Sequence, residues 1–222
     1  AHLLEPIVEA MKQRVLESNV IHTDDTPVTA CTPGEKGTHK SRFWVYLGDG
    51  AHPYTVYDYT PSRKRDGPVA FLDGFFGTKE HPRYLQADAF GGYDGIYAQG
   101  DENSGDHVVR EVACWAHARR KFYDARTSDV ARSHAMLGWI RELYQIERDA
   151  KEFDAEQRCA LRQEKSKPIL DAIDAWFDVQ QGVILPKIPI GEAIQYTRNN
   201  WTALLRYTDD GDLAIDNNAA EN

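Results

Sequence analysis

Three acidic residues of this 222-residue sequence stand in settings where a carboxylate calls for a partner. Asp24 follows Val-Ile-His-Thr, a strand-like run, and precedes Asp25-Thr26-Pro27. An unpaired charge in apolar, strand-like surroundings is costly. Strand alternation puts His22 and Asp24 on one face and Asp25 on the other. Asp88 ends the short apolar run Tyr-Leu-Gln-Ala and precedes Ala-Phe-Gly-Gly-Tyr. A carboxylate at the end of a short buried strand, beside glycines, is a common ligand position. Glu221 lies four and three positions after Asn217 and Asn218, so a helix would place all three on one face. Two amides beside a carboxylate suit a metal or a phosphate. Each residue also has a plain reading: a turn-capping aspartate, or polar groups at an ordinary helix N-terminus.

Cys114 and His117 have the spacing of half a zinc site, but no second pair follows at a suitable distance. Cys114 reads instead as a core thiol. His117, Arg119, Arg120 and Lys121 form a basic run that suits DNA phosphates; a solvated helix face is the alternative. Arg63-Lys64-Arg65 is a second basic cluster in a chain whose net charge is −9. That charge alone counts against a nucleic-acid partner, because duplex binding rests on neutralising phosphates. Metal-dependent nucleases also need acidic sites, so net charge does not decide the matter. Three cysteines (Cys31, Cys114 and Cys159) argue against a disulfide framework and for a reducing compartment. No run approaches the ~18 apolar residues of a membrane helix, and nothing resembles a signal peptide. The expectation is a soluble, cytoplasmic protein with no membrane partner.

The elements that must position these residues follow from periodicity. Leu4, Val8, Met11 and Val15 line one face of a leading helix. Strands are expected at Val20–Val28, Arg42–Leu47 and Tyr54–Tyr59, with Gly48-Asp49-Gly50 as a hairpin signal. A short helix is expected within 66–76, a strand at Tyr84–Ala87, a strand at Val108–Cys114 and a helix at Trp115–Arg126. From Asp129 to about Gln181 the pattern is helical, with Pro168 starting or kinking the last helix. Residues 182–191 read as a connection, Ile194 to Leu205 as one more helix, and Asp216 as the N-cap of a final one. This order fits a mixed sheet flanked by helices.

Several strings, in order, resemble one family. They are His22-Thr-Asp-Asp-Thr-Pro27, Gln86-Ala-Asp-Ala-Phe-Gly-Gly-Tyr93, Cys114-Trp-Ala-His-Ala-Arg-Arg-Lys-Phe122, Leu143-Tyr-Gln-Ile-Glu-Arg148, Arg162-Gln-Glu-Lys-Ser-Lys-Pro168 and Ile215-Asp-Asn-Asn-Ala-Ala-Glu221. Together they resemble the insertion-sequence transposases of group sixty-six, over nearly the whole chain.

The resemblance implies an α/β, ribonuclease-H-like fold: a mixed five-stranded sheet flanked by helices, with an all-helical insertion before the last catalytic helix. It implies a leading helix at 1–19, the first part of the core at 20–126, the insertion at 127–190 and the end of the core at 191–222. It makes Asp24, Asp88 and Glu221 a DDE triad holding two Mg²⁺ (or Mn²⁺) ions for DNA cleavage and strand transfer. DNA contacts would come from His117, Arg119, Arg120, Lys121, Asn217 and Asn218. The partners implied are transposon ends and target DNA, in a homo-oligomeric complex associated with the bacterial nucleoid when active. The family motif usually has Asp-Glu-Thr-Pro where this chain has Asp24-Asp25-Thr26-Pro27. It also continues past Glu221 and carries upstream DNA-recognition segments, so the chain reads as a fragment of a longer protein. Two rival readings are another ribonuclease-H-like nuclease or resolvase, and a non-catalytic DNA-binding remnant.

Overall fold

The computed structural model describes residues 3–31, 34, 37–88, 91–97 and 106–221. Ala89 and Phe90 of the second motif, and Asn222, lie outside the described residues. The chain divides into two compact units, one of residues 1–111 with 217–222 and one of residues 112–216. The sequence reading drew its boundaries at 19/20, 126/127 and 190/191.

Unit 1 opens with α1 (Glu5–Leu16), started by a proline in its first turn. Only the C-terminal end of its apolar stripe is buried: Val15 and Leu16 enter the core, whereas Leu4 and Val8 are exposed. Three long strands follow as an antiparallel meander, β1 (Val20–Ala30), β2 (His39–Leu47) and β3 (Thr55–Thr60). After α2 (Asp66–Phe71) come β4 (Gly77–Thr78), β5 (Arg83–Ala87), α3 (Asp94–Tyr97) and β6 (Asp106–Ala113). The sheet order is β3-β2-β1-β5-β6-β4. Six strands therefore stand where five were expected. The extra one, β4, has two residues, too few for alternation to register in the sequence.

The register sorts side chains by face. His22 pairs with Leu47, Asp24 with Val45 and Asp25 with Trp44. Ile21, Thr23, Trp44 and Tyr46 are fully buried on one face. They meet Phe71, Leu72, Phe75 and Tyr93 in the core. Tyr46 stacks on Phe71 with ring centroids 3.6 Å apart. Arg83 Nη1 donates to the Leu16 carbonyl, tying the end of α1 to the start of β5.

Unit 2 is helical. It holds α4 (Trp115–Asp124), α5 (Val130–Asp149), α6 (Ala155–Leu161), α7 (Lys167–Gln180), α8 (Pro189–Asn199) and α9 (Trp201–Leu205). Asp129 caps α5 through the Arg132 amide, and Asp154 with Gln157 forms a capping box on α6. A π-helical stretch, Arg162–Ser166, joins α6 to α7. Trp115, Phe122, Met136, Ile140, Leu143, Ile173 and Phe177 are fully buried. Trp201 stands edge-on to both Trp115 and Phe177, at 6.0 Å and 5.4 Å.

A guanidinium is buried in this core: Arg162 is 1% exposed. It holds Glu147 through two bonds of 2.9 and 2.6 Å and donates to the carbonyls of Tyr207, Asp210 and Leu213. The chain then re-enters unit 1 as α10 (Asn218–Glu221). Among the described residues no helix is long and apolar enough to cross a membrane.

Candidate active site

The site is built where a parallel strand pair ends. β1 and β5 pair in parallel at Val20↔Tyr84, Ile21↔Leu85 and His22↔Gln86, and β5 stops at Ala87. Asp24 and Asp88 each sit two residues past the last paired couple, so the register gives them one face. β1 runs on beyond this point paired with β2 alone, so Asp24 lies within β1, on the edge that β5 no longer covers, and Asp88 lies one residue past the end of β5.

Burial and like charge act together on Asp24. Desolvation, with the charges of Asp88, Glu221 and Asp25 adding to it, raises its carboxyl from 3.8 to about 6 against one backbone hydrogen bond from Asp25. Asp88 and Glu221, 64 and 197 positions further along the sequence, are thus within electrostatic reach of Asp24 inside unit 1.

Glu221 arrives on α10, which packs on β1 and β2. Asn217 starts this helix: its carbonyl accepts the amides of Ala220 at 3.0 Å and Glu221 at 3.3 Å. The expected cap, Asp216, instead accepts a hydrogen bond from the Tyr144 hydroxyl at 2.8 Å within unit 2. Burial and this bond raise the Tyr144 phenol. The Asn217 side chain is fully buried. Its Nδ2 donates to the Thr23 carbonyl at 2.8 Å, and its Oδ1 lies 3.0 Å from His22 Nδ1. Both ends of that amide are therefore engaged inside the protein. Asn218 is exposed.

Asp25 lies on the opposite face, as alternation requires, and it is not a bystander. Its side chain is 2% exposed and is held by Arg42 at 2.8 Å and by Arg63 at 2.7 Å. Arg63 also reaches Asp88 Oδ2 at 3.4 Å. One guanidinium therefore links the buried pair to a site carboxylate. Sequence reasoning saw Arg63 only as part of a basic cluster. The available signal was the Asp-Asp pair on alternating faces, which leaves one carboxylate pointing into the core. Tyr93 closes the same region from below: its buried hydroxyl lies 3.3 Å from Thr23 Oγ1. Burial raises that phenol, with the charges of Asp88, Asp25 and Asp24 adding to the effect.

The basic run lies on α4 of unit 2. Arg119, Arg120 and Lys121 are exposed, His117 is half-buried, and Lys121 Nζ stands 5.4 Å over the Tyr196 ring. Cys114 is 1% exposed.

The chain is 29% identical over 98% of its length to the Uncharacterized protein y4qI of Sinorhizobium fredii. It is 29% identical to y4hP and 28% identical to y4jD of the same organism, again over 98% of the chain. It spans 41–43% of the length of these curated relatives. The model of the Transposase IS66 family matches residues 1–222, and the chain belongs to that family.

Proposed function

We propose that unit 1 is a ribonuclease-H-like catalytic core that cleaves DNA strands and joins them during transposition, with Asp24, Asp88 and Glu221 as its metal-binding carboxylates. The observation that carries this reading is geometric: the parallel register of β1 and β5 sets Asp24 and Asp88 at matching positions, and α10, which bears Glu221, packs on β1. The sheet order supports the fold: an antiparallel meander whose first strand pairs in parallel with a later one.

The chemistry of the three side chains suits divalent cations. Three carboxylates are hard oxygen donors, which suit Mg²⁺ or Mn²⁺. The repulsion and desolvation at Asp24 are the penalties that a bound cation relieves. When bound, such ions activate an oxygen nucleophile and stabilise the leaving oxygen.

The chain's own residues do the rest. Asp24 presents its oxygens from within β1 and Asp88 from just past the end of β5, next to backbone that the sheet fixes. Glu221 closes the site from α10. Arg63 holds Asp88 from the side and Arg42 keeps Asp25 out of the site. In cleavage, water oxygen attacks phosphorus, the phosphorus–oxygen bond to the 3′ side breaks, and a 3′-hydroxyl and a 5′-phosphate result. In joining, that 3′-hydroxyl attacks a target phosphodiester, one bond to phosphorus forms and one breaks, and no protein–DNA bond is needed. Arg119, Arg120, Lys121, His117 and Asn218 are the residues proposed to meet DNA phosphates. The active complex is proposed to hold transposon ends and target DNA in a homo-oligomer.

A joining assay with pre-cut ends, run on the full-length protein in Mg²⁺ or Mn²⁺, tests the reading. Cleavage and joining that both disappear in Asp24→Asn, Asp88→Asn and Glu221→Gln are expected. Cleavage without joining would make the protein a nuclease or resolvase. Activity that survives all three substitutions would remove the carboxylates from the chemistry.

A further inference from the structure

α10 has four residues, too few to hold its own geometry in water. Something outside it must fix where Glu221 stands, and the structure shows what does. The Asn217 carboxamide donates through Nδ2 to the carbonyl of Thr23, the residue before Asp24. The Asn217 main-chain carbonyl accepts the Glu221 amide. Two hydrogen bonds through one residue thus connect the β1 backbone at Thr23, the neighbour of Asp24, to the backbone of Glu221, and the first of them spans 194 positions of sequence. Because Nδ2 faces a carbonyl, the other end of the amide must be oxygen. That oxygen lies 3.0 Å from His22 Nδ1, so Nδ1 must carry the proton. His22 in turn sits on the face of β1 that bears Asp24.

We propose that Asn217 is the positioning residue of the site: its buried carboxamide, clamped between Thr23 and His22, sets Glu221 against Asp24. This rests on the metal-binding reading of the three carboxylates. Asn217 touches neither substrate nor ion; it acts through Glu221. Partners that orient ligands in this way are worth about ten- to a hundred-fold in metal affinity.

Three proteins and two readouts test it: the full chain as wild type, Asn217→Ala and Asp24→Asn. Mn²⁺ affinity is measured by calorimetric titration, and the His22 ring by long-range ¹⁵N–¹H spectra. The wild-type imidazole is expected as the Nδ1–H tautomer, and Asn217→Ala is expected to lose that signature. Asn217→Ala is expected to bind Mn²⁺ about ten-fold or more weakly while still melting cooperatively. A residue that only stabilised the fold would lower the melting temperature and leave the affinity of the folded protein unchanged. His22→Phe cuts one leg of the clamp, and it decides the matter if Asn217→Ala does not fold: a weaker loss of Mn²⁺ affinity is expected. An Nε2–H tautomer in the wild type would overturn the clamp. Wild-type affinity in folded Asn217→Ala or in His22→Phe, with Asp24→Asn impaired, would overturn the positioning role alone. Unchanged affinity in Asp24→Asn would sink the metal-binding reading, and the inference with it.

Discussion

Replacing Asp24 by asparagine removes a charge and little else. The amide oxygen still accepts the Asp25 backbone hydrogen bond, and the volume is nearly the same. The structure sets the size of the effect. The Asp24 carboxyl rises from 3.8 to about 6 on folding, which corresponds to about 3 kcal/mol of destabilisation once the group is ionised. Asp24 is partly exposed, so solvent screening reduces this to about 1.5 kcal/mol. The sign follows from linkage. The native state holds the proton more tightly than the unfolded chain, so stability falls as pH rises from about 4 to about 6 and is level above that. Asp24→Asn should therefore be more stable than the wild type at pH 7.5 in chelator, by about 3–6 °C in melting temperature for a chain of this size. The two proteins should converge toward pH 4. Millimolar Mn²⁺ should reverse the order: the wild type gains about 2.7 kcal/mol at a hundred-fold excess over Kd, and Asp24→Asn loses most of that gain. Thermal melts of both proteins at pH 4.5, 6 and 7.5, with chelator or Mn²⁺, give the answer. Parallel pH curves would show that the charge of Asp24 is not strained. A variant less stable at pH 7.5 in chelator would show that a favourable contact, not repulsion, governs the carboxylate.

The buried pair behind the site makes the complementary case. Arg42→Ala should cost about 3 kcal/mol or more in a denaturant titration, because it leaves Asp25, 2% exposed, with a single guanidinium; Asp25→Asn should keep the Mn²⁺-induced shift that Asp88→Asn loses. In unit 2, Arg162→Met should cost about 3–5 kcal/mol by stranding Glu147 and three carbonyls, and Arg162→Met with Glu147→Leu should recover part of that in the same titration. DNA binding by this chain should be weak and independent of sequence, and reversing Arg119, Arg120 and Lys121 to glutamate should flatten the dependence of affinity on salt measured by fluorescence anisotropy.

Much of the site was legible in the residues because its parts lie in local patterns. The β-branched run around Asp24 and the apolar run before Asp88 mark strands, and alternation alone assigned Asp24 and Asp25 to opposite faces. Ordered motifs carried the family. Local pattern also set the limits. The α1 stripe reads as uniformly apolar from Leu4 to Val15, yet only its end is buried, since periodicity reports which face is apolar and not how far a neighbour extends along it. β4 is too short to alternate. Asn217 read as an amide beside Glu221 suited to a metal, a phosphate or a helix start, and Arg63 as one charge in a basic cluster. Their partners are at Thr23 and His22 for the first, and at Asp25 and Asp88 for the second. A hydrogen bond between residues 194 positions apart leaves no periodicity, composition or spacing in the chain that encodes it. The sequence by itself determined which carboxylates to watch and which strands carry them. Only the tertiary structure decided what holds them in place, because directional bonds between distant residues exist only once the backbone has brought their atoms within about 3 Å.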